Sequence, residues 1–291
     1  MKIIDFCRLH PSEVISLVDV LPPKSIDHPY LNTIDIPGAD FLCVAYGPGG
    51  SVRVSSEVVG ATIKREIGKE VVFNIVTRDA NKVGIQTQLL GANQLGLENV
   101  VVMKGDPPVY TPTRTQQKRV KSVHDFTPTE LIRTISRMNL GEDFRGNRIA
   151  PPTDFCIGAT INLNKEMKSE AKLIRAKLQA GAEFFITQPV FQVSKINELR
   201  EEYRELTPEP FPVEVFWGIQ IPTTGGEVFG HLPLGMRLEL DEGKEGVQIA
   251  FDVMKKLLVM GIRKFYILPA RSPAGHYDYR NVQELLTYSH L

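Results

Sequence analysis

Cysteine and metal-binding motifs are sparse in this chain of 291 residues. The three cysteines, Cys7, Cys43 and Cys156, are odd in number and far apart, and no two of them form a CxxC pair. A disulfide framework and a cysteine-based zinc site are therefore not expected. The six histidines are scattered and show no HExxH or similar spacing. We accordingly expect no metal site and no metal-dependent hydrolysis.

Long apolar runs and an excess of one charge are also missing. No stretch of about eighteen apolar residues occurs, and the start MKIID lacks the apolar segment of a signal peptide. Lysine plus arginine number 34, and so do aspartate plus glutamate. A neutral chain gives no electrostatic reason to expect nucleic acid or an anionic membrane as the main partner. We therefore expect a soluble cytoplasmic protein.

The dominant pattern is a short apolar run followed by a helical segment. Runs rich in β-branched and aromatic residues predict buried strands at 13–21, 40–46, 70–76, 99–103, 154–160, 183–187, 213–218 and 264–268. Apolar residues three and four apart predict helices at 55–67, 81–95, 129–138, 168–180, 193–206, 247–260 and 281–288. A helix in the proline-rich first crossover, 22–38, is left open. Glycines at the predicted C-caps support these boundaries, namely Gly68, Gly96, Gly181 and Gly261.

Strands that alternate with helices form either an open doubly wound sheet or a closed barrel. The count of eight strands and the chain length favour a single (β/α)8 TIM barrel that spans residues 1–291 as one domain. Active sites of such barrels form at the C-terminal ends of the strands. The residues that end the predicted strands are mostly polar and include Asp19, Tyr46, Asn74, Lys104, Gly105, Asp106, Thr160, Asn162, Gln188, Gln220 and Arg271.

Asp19 stands inside the apolar run LVDVL. A carboxylate in such a strand costs desolvation free energy unless it is paired or protonated. Burial raises its pKa, which makes Asp19 a candidate general acid. The alternative is a carboxylate that caps the following loop.

Three other rim positions suggest a flat heterocyclic ligand. In Lys104-Gly105-Asp106, the glycine allows a flat ligand to approach the backbone closely, and the aspartate carboxylate can accept hydrogen bonds from N–H groups of that ligand. The alternative is a simple β-turn, because the composition Gly-Asp-Pro-Pro is typical of one. Gln188 offers a hydrogen-bond donor and an acceptor together, which suits the edge of an amide-like heterocycle. The alternative is a core glutamine whose hydrogen bonds are made within the protein. Arg271 could bind a carboxylate of a ligand or stack on its ring. The alternative is a salt bridge on the protein surface.

Two long segments, 107–127 and 222–246, follow the fourth and seventh predicted strands and are read as lids or binding loops. The first is basic at Arg114, Lys118, Arg119 and Lys121. This basic segment is either exposed to solvent or binds the polyanionic tail of a ligand, such as a polyglutamate. The sequence GPGG at 47–50 lacks the spacing of a phosphate-binding loop, and we interpret it as a turn.

Taken together, these motifs resemble the methylenetetrahydrofolate reductase family from the first strand to the eighth. KLQAGAEFFITQP, at 177–189, is similar to the family's KxxAGAxxxxTQ pattern. Three shorter motifs of this sequence occupy the places of family motifs. DVLPP at 19–23 corresponds to the family's EFFPP, AYG at 45–47 to its TYG, and KGD at 104–106 to its RGD. GIQIP at 218–222 resembles the family's GIxP loop with one extra residue, and Arg271 matches the arginine after the last strand.

The resemblance implies folate one-carbon chemistry. In that family NAD(P)H reduces FAD, and the flavin passes hydride to 5,10-methylenetetrahydrofolate to give 5-methyltetrahydrofolate. Asp19 would protonate N10, Asp106 and Gln188 would bind the pterin, and Arg271 would help to bind folate. The implied FAD contacts are Tyr46, Asn74, Lys104, Gly105, Asp106, Thr160 and Lys177. A small-molecule folate is thus the expected partner, and a homo-oligomer is left open.

Departures from the family pattern keep other readings open. Asp19 is one methylene shorter than the family's glutamate, and a misplacement of about 1 Å can cost on the order of a hundredfold in rate. Ala45 replaces a threonine that contacts the nicotinamide, and Thr160 replaces a tyrosine near the flavin. Asn74 replaces a histidine, and Ala176 replaces a basic residue beside Lys177. One alternative is a flavin-free tetrahydrofolate-binding methyl or methylene transferase, or a demethylase. Another is a non-catalytic barrel that serves as a subunit.

Overall fold

The computed structural model describes residues 1–106, 121–212, 214–272 and 275–289. Each strand pairs in parallel with the next, and the eighth pairs with the first to close the barrel. The strands are β1 Ile15–Val20, β2 Phe41–Val44, β3 Glu70–Val76, β4 Asn99–Met103, β5 Cys156–Ile161, β6 Phe184–Pro189, β7 Val215–Gln220 and β8 Lys264–Leu268. The predicted single TIM barrel is confirmed, and every predicted strand end lies within two residues of the observed one.

Helices fill the crossovers between the strands. They are α1 Ile3–Leu9, α2 His28–Ile34, α3 Ser56–Glu66, α4 Lys82–Gln94, α5 Pro128–Asn139, α6 Met167–Ala180, α7 Ser194–Leu206, α8 Leu234–Asp241, α9 Gly246–Val259 and α10 Arg280–Ser289. All seven predicted helices are present, with ends within one residue. The first crossover does hold a helix, α2. Within the described ranges, no helix is both long enough and apolar enough to cross a membrane.

Local signals explain where two of these helices start and stop. Thr127 caps α5 by accepting from the Glu130 amide, and the Glu130 side chain accepts from the Thr127 amide in return. Gly181 ends α6 with φ of 110°, and a Cβ atom there would lie 2.0 Å from Ser136 Oγ. The backbone conformation and the close approach both require glycine at this position.

The 222–246 segment is not irregular throughout, because α8 lies within it. A second addition follows β8, where β9 Ala270–Arg271 and β10 Tyr277–Asp278 form a short antiparallel hairpin. The 107–127 segment falls mostly outside the described residues. Its described part, 121–127, leads into α5.

The barrel interior is closed at its N-terminal end by α1. Ile3, Ile4 and Cys7 of this helix belong to the same buried cluster as the inward-facing residues of the strands. The Ile3 amide donates to Asn99 Oδ1 at 2.8 Å, which attaches the helix to the first residue of β4. A larger apolar layer lies between the strands and the surrounding helices. The polar strand ends predicted above therefore lie at the opposite, C-terminal mouth of the barrel.

Candidate active site at the C-terminal mouth of the barrel

Asp19 lies on the interior side of β1. Ile15 and Leu17 belong to the interior cluster, and the strand's alternation places Asp19 on the same side. Its side chain is almost fully buried, with 3% exposure. Tyr266 Oη donates to Asp19 Oδ1 at 2.6 Å, and Tyr277 Oη donates to Oδ2 at 3.2 Å. Both carboxyl oxygens are therefore held by phenol hydroxyls.

Burial raises the pKa of Asp19 to about 6. The two tyrosine hydrogen bonds and the positive charge of Arg271 favour the ionised form, but they only partly offset the loss of solvation. Burial and the nearby Asp19 charge also raise the pKa of Tyr277, so this phenol remains a donor at neutral pH. Asp19 can consequently hold and release a proton near neutrality.

The two tyrosines come from separate parts of the chain. Tyr266 lies on β8, which pairs with β1. Tyr277 lies on β10 and is placed by its pairing with Arg271 on β9. The hairpin end is docked on the barrel because Tyr279 Oη accepts from the Leu21 amide at 2.9 Å. Sequence reasoning missed both residues. The strand alternation of β8 could have placed Tyr266 inside, whereas nothing in the sequence places Tyr277 near Asp19.

At the ends of β3 and β4, the predicted residues divide between buried and exposed. Asn74 is 2% exposed, and its Oδ1 accepts from Cys43 Sγ at 3.4 Å. Lys104 and Asp106 are exposed, and Tyr46, which follows β2, is half-buried. The backbone carbonyl of Asp106 accepts from Arg78 Nη1 at 2.8 Å. The Asp106 carboxylate thus stands at the solvent edge of the mouth.

Gly105 has a specific reason to be glycine. Its φ is 82°, and a Cβ atom would lie 3.2 Å from the Cβ atoms of Val76 and Arg78. Arg78 is itself 4% exposed and forms two hydrogen bonds of 2.6 Å with Asp79. The turn that carries Asp106 is therefore packed tightly on the end of β3.

Lys177 faces the barrel wall. Its side chain is buried, and Nζ donates to the Thr160 carbonyl at 2.5 Å. The Glu170 carboxylate lies 3.9 Å from Lys177 Nζ. The same carboxylate accepts a hydrogen bond from the Asn162 amide at 3.0 Å. Burial lowers the pKa of Lys177. The Lys177 ammonium is therefore already engaged by protein oxygens.

The ends of β6 and β7 carry amide side chains. Gln188 is half-buried, and its Oε1 accepts from Asn164 Nδ2 at 2.6 Å. Gln220 is 3% exposed, donates to the Glu227 carbonyl at 2.9 Å and accepts from the Phe229 amide at 2.8 Å. Phe229 packs against the interior cluster. Gln220 thus holds the β7–α8 loop over the mouth.

Arg271 completes this side of the mouth. Its guanidinium forms an ion pair with Glu227 of the β7–α8 loop, and its Nε is buried without a hydrogen-bond partner among the described residues. The positive charge also acts on Asp19. Asp19, Tyr266, Tyr277 and Arg271 are therefore brought together, whereas Gln188 and Asp106 end other strands at the same mouth.

Two of the implied FAD contacts, Asn74 and Lys177, are engaged by other groups of the protein, whereas Lys104 is exposed at the mouth. The implied contacts Asn74 and Lys177 are buried and already hydrogen-bonded, Asn74 to Cys43 in the barrel interior and Lys177 to the Thr160 carbonyl. A flavin diphosphate needs a cation that can approach it. Lys177 could serve only after its hydrogen bond to Thr160 and its approach to Glu170 are broken.

Residues 26–224 match the methylenetetrahydrofolate reductase family. The chain belongs to this family. Its fold is shared by an uncharacterized protein from Clostridium thermocellum that binds two copies of 5-methyl-5,6,7,8-tetrahydrofolic acid, with a TM-score of 0.65 and 11% identity over 99% of this chain and 98% of that one. A putative deoxyribose-phosphate aldolase from Toxoplasma gondii ME49 matches with a TM-score of 0.50 and 10% identity, over 95% of each chain. At such identities these structures establish the barrel fold of this methylenetetrahydrofolate reductase family member, and nothing finer.

Proposed function

We propose that this protein binds a tetrahydrofolate at the C-terminal mouth of its barrel and that Asp19 is the general acid that opens the folate-borne one-carbon unit. The observation that carries the proposal is the buried Asp19 carboxyl, held by Tyr266 and Tyr277, with its pKa raised to about 6. Family membership and the folate bound by the Clostridium thermocellum protein support the choice of ligand.

The proposed step is a proton transfer coupled to ring opening. In 5,10-methylenetetrahydrofolate one carbon bridges N5 and N10. Asp19 gives its proton to N10, the bond from carbon to N10 breaks, and the N5 nitrogen supplies an electron pair to form an iminium. The Asp19 carboxylate left behind accepts hydrogen bonds from both tyrosines, which stabilises its charge. A general acid works best when its pKa lies near the operating pH, as that of Asp19 does.

The rest of the mouth would orient the ligand. Gln188 presents an amide to the edge of the pterin, and Asp106 presents a carboxylate at the solvent edge. Arg271 would bind a carboxylate of the folate tail, exchanging its partner Glu227 for the ligand. Asp19 lies deepest, so the reacting end of the ligand points into the barrel.

The fate of the iminium separates two candidate reactions. The family's own reaction reduces it to 5-methyltetrahydrofolate with NAD(P)H and FAD, and membership of the family favours this candidate. Transfer of the one-carbon unit without a flavin is favoured by the engagement of Lys177 with the Thr160 carbonyl and of Asn74 with Cys43. Acid-assisted ring opening at Asp19 is common to both reactions.

The test separates these points in one preparation. The visible spectrum of the purified protein reports whether flavin is bound: two oxidised-flavin bands support the reductase, and a colourless protein that binds tetrahydrofolate supports transfer. Ring opening is then followed as exchange of labelled formaldehyde into 5,10-methylenetetrahydrofolate, which needs no reductant. Asp19→Asn should reduce the enzymatic exchange by about a hundredfold or more. Tetrahydrofolate affinity, measured by calorimetry, should change little.

Asp5→Asn is the matched control, because Asp5 is an exposed carboxylate on α1 at the other end of the barrel. It should leave both exchange and binding unchanged. Wild-type exchange in Asp19→Asn would remove Asp19 from the chemistry. Failure of the wild-type protein to bind tetrahydrofolate would overturn the proposal as a whole.

A further inference from the structure

A cavity of about 500 Å³ lies at the end of the barrel opposite Asp19. It is bounded by the α1–β1 loop, by α7 and by the segments that lead into β7 and β8. Its lining includes the first residues of β7 and β8, Val215 and Lys264, so it opens at the N-terminal ends of the strands. This volume is within the range of small-molecule sites, about 300–1,000 Å³.

Positive charge dominates the lining of this cavity, which we name the Arg200 cavity. Arg200, Arg263 and Lys264 all line it, and no acidic residue is found among its described lining residues. Lys264 has an acidic neighbour, Glu214, at 3.2 Å. In the part of the chain that the structure describes, Arg200 and Arg263 have no carboxylate partner. The cavity therefore carries a net positive charge that the protein itself does not neutralise.

Arg200 is held in place by aromatic rings. Its guanidinium lies 5.8 Å from the centre of the Trp217 ring and 6.0 Å from that of Phe211, and the two rings are stacked 6.4 Å apart. Such cation–π contacts orient a guanidinium without neutralising its charge. Burial lowers the pKa of Arg200, which reflects the cost of removing this charge from water. Burial of a charge is costly unless the charge is paired, and an anionic ligand would supply that pairing.

A guanidinium that is already oriented loses little entropy when it binds an anion. Its planar array of donors matches the oxygens of phosphate and carboxylate groups. Arg263 and Lys264 add two further cations within the same cavity, and Ser12 adds a hydroxyl. The arrangement suits a ligand with several anionic oxygens close together rather than a single halide-like ion.

We propose that the Arg200 cavity is a binding site for a small polyanion whose charge is carried by phosphate or carboxylate groups. The site lies away from the C-terminal mouth, where reactions of this fold take place. Its ligand would therefore be an effector or stabilising ligand and not a reactant. This inference does not depend on the proposed folate chemistry.

The chain provides its own reporter for this site. Trp217 is the sole tryptophan in the sequence, is 3% exposed and lines the cavity beneath Arg200. The experiment is a fluorescence titration of the full chain with sodium pyrophosphate and, separately, with sodium citrate. Sodium chloride at matched ionic strength is the blank. We expect a saturable change with at least one of the two polyanions, and we expect added salt to weaken it because the contacts are electrostatic.

Three variants make the test specific. Arg200→Gln should weaken binding by about tenfold or more, since it removes a charge-assisted hydrogen bond. Arg263→Gln should weaken it in the same direction. It changes an exposed side chain and so remains informative if Arg200→Gln does not fold. Arg204→Gln, an exposed arginine on the same helix, is the matched control and should bind as the wild type does.

Several results would overturn the proposal. These are no saturable change with either polyanion, an unchanged affinity in both Arg200→Gln and Arg263→Gln, or an equal loss in Arg204→Gln. The last result would indicate attraction to the overall surface charge and not to this cavity. Asp19→Asn should leave the titration unchanged, so failure here is distinguishable from failure of the folate proposal.

Discussion

At the scale of single residues, Asp19 shows what sequence reasoning can and cannot find. A carboxylate in an apolar strand stands out because burial of a charge is costly, and this alone singles out the position. Its partners are less visible. Tyr266 reads as an ordinary strand aromatic, and Tyr277 lies in a hairpin whose course depends on the closed barrel. Each hydroxyl acquires its role only from a contact some 250 positions away.

The raised pKa of Asp19 predicts how stability depends on pH. The folded-state pKa of about 6 lies above the ordinary value of 3.8, so the folded protein binds this proton more tightly than the unfolded chain does. The stabilising contribution of this proton is complete below pH 3.8, decreases as the pH rises to about 6 and is absent above that. At about 1.4 kcal/mol for each pH unit between the two values, the loss amounts to about 3 kcal/mol.

Asp19→Asn should remove this dependence, because asparagine is neutral and can still bond both tyrosines. At pH 7.5 we expect the variant to be more stable than the wild type by up to about 3 kcal/mol, and at pH 3.5 to be nearly equal to it. Urea denaturation at the two pH values, with unchanged m-values, measures the difference. A variant less stable than wild type at pH 7.5 would mean that hydrogen bonds to the carboxylate outweigh its burial.

At the scale of elements, the strands and the long helices were predictable, whereas the short additions were not. The β-branched runs of strands and the wide apolar faces of α5 and α9 repeat over enough residues to be distinctive. In α8, by contrast, Leu240 is the sole buried residue. A helix of eight residues that buries so little leaves no periodic signal, so the sequence predicts a loop for the whole 222–246 segment.

The β7–α8 loop yields a prediction at this scale. Gln220 satisfies the Phe229 amide and the Glu227 carbonyl at the mouth of the barrel. Gln220→Leu keeps the size of the side chain but leaves both backbone groups without partners, at about 1–3 kcal/mol each. Because that loss is local, we expect the Phe229 amide to exchange its hydrogen about tenfold faster or more.

Hydrogen exchange measured by NMR or mass spectrometry tests this expectation. Amides of β3, on the far side of the barrel, should keep their protection and serve as the internal control. Gln192→Leu, a glutamine in the loop after β6, is the matched variant and should leave Phe229 unchanged. Unaltered exchange at Phe229 in Gln220→Leu would show that other contacts, such as the ion pair of Arg271 with Glu227, hold the loop alone.

At the scale of the whole molecule, the two ends of the barrel differ in chemistry. The C-terminal mouth gathers polar groups around Asp19, and the N-terminal end is sealed by α1. The positions at the mouth were predictable because parallel strands of a barrel end together. The closure of the N-terminal end by α1 was not predictable from the sequence. This helix is only seven residues long, and its packing depends on a contact between Ile3 and Asn99, which are 96 positions apart.

Asn99 allows the separation of the two ends to be tested. It is fully buried, accepts from the Ile3 amide at 2.8 Å and donates to the carbonyls of Met1 and Val71 at 3.0 and 3.2 Å. Asn99→Ala leaves these groups unsatisfied and opens space in the core, so we expect a loss of about 2–4 kcal/mol of unfolding free energy. Urea denaturation measures it, and Asn197→Ala, at an exposed position on α7, should stay within about 0.5 kcal/mol of wild type.

Ring opening per folded molecule should be unchanged in Asn99→Ala, because Asp19, Tyr266 and Tyr277 lie at the other end of the strands. The assay is the formaldehyde exchange, run at a temperature where the variant is fully folded by circular dichroism. A large loss of exchange in the folded variant would show that the seal at one end controls the geometry of the mouth. The barrel would then transmit strain along its strands, and stability and chemistry could not be assigned to separate ends.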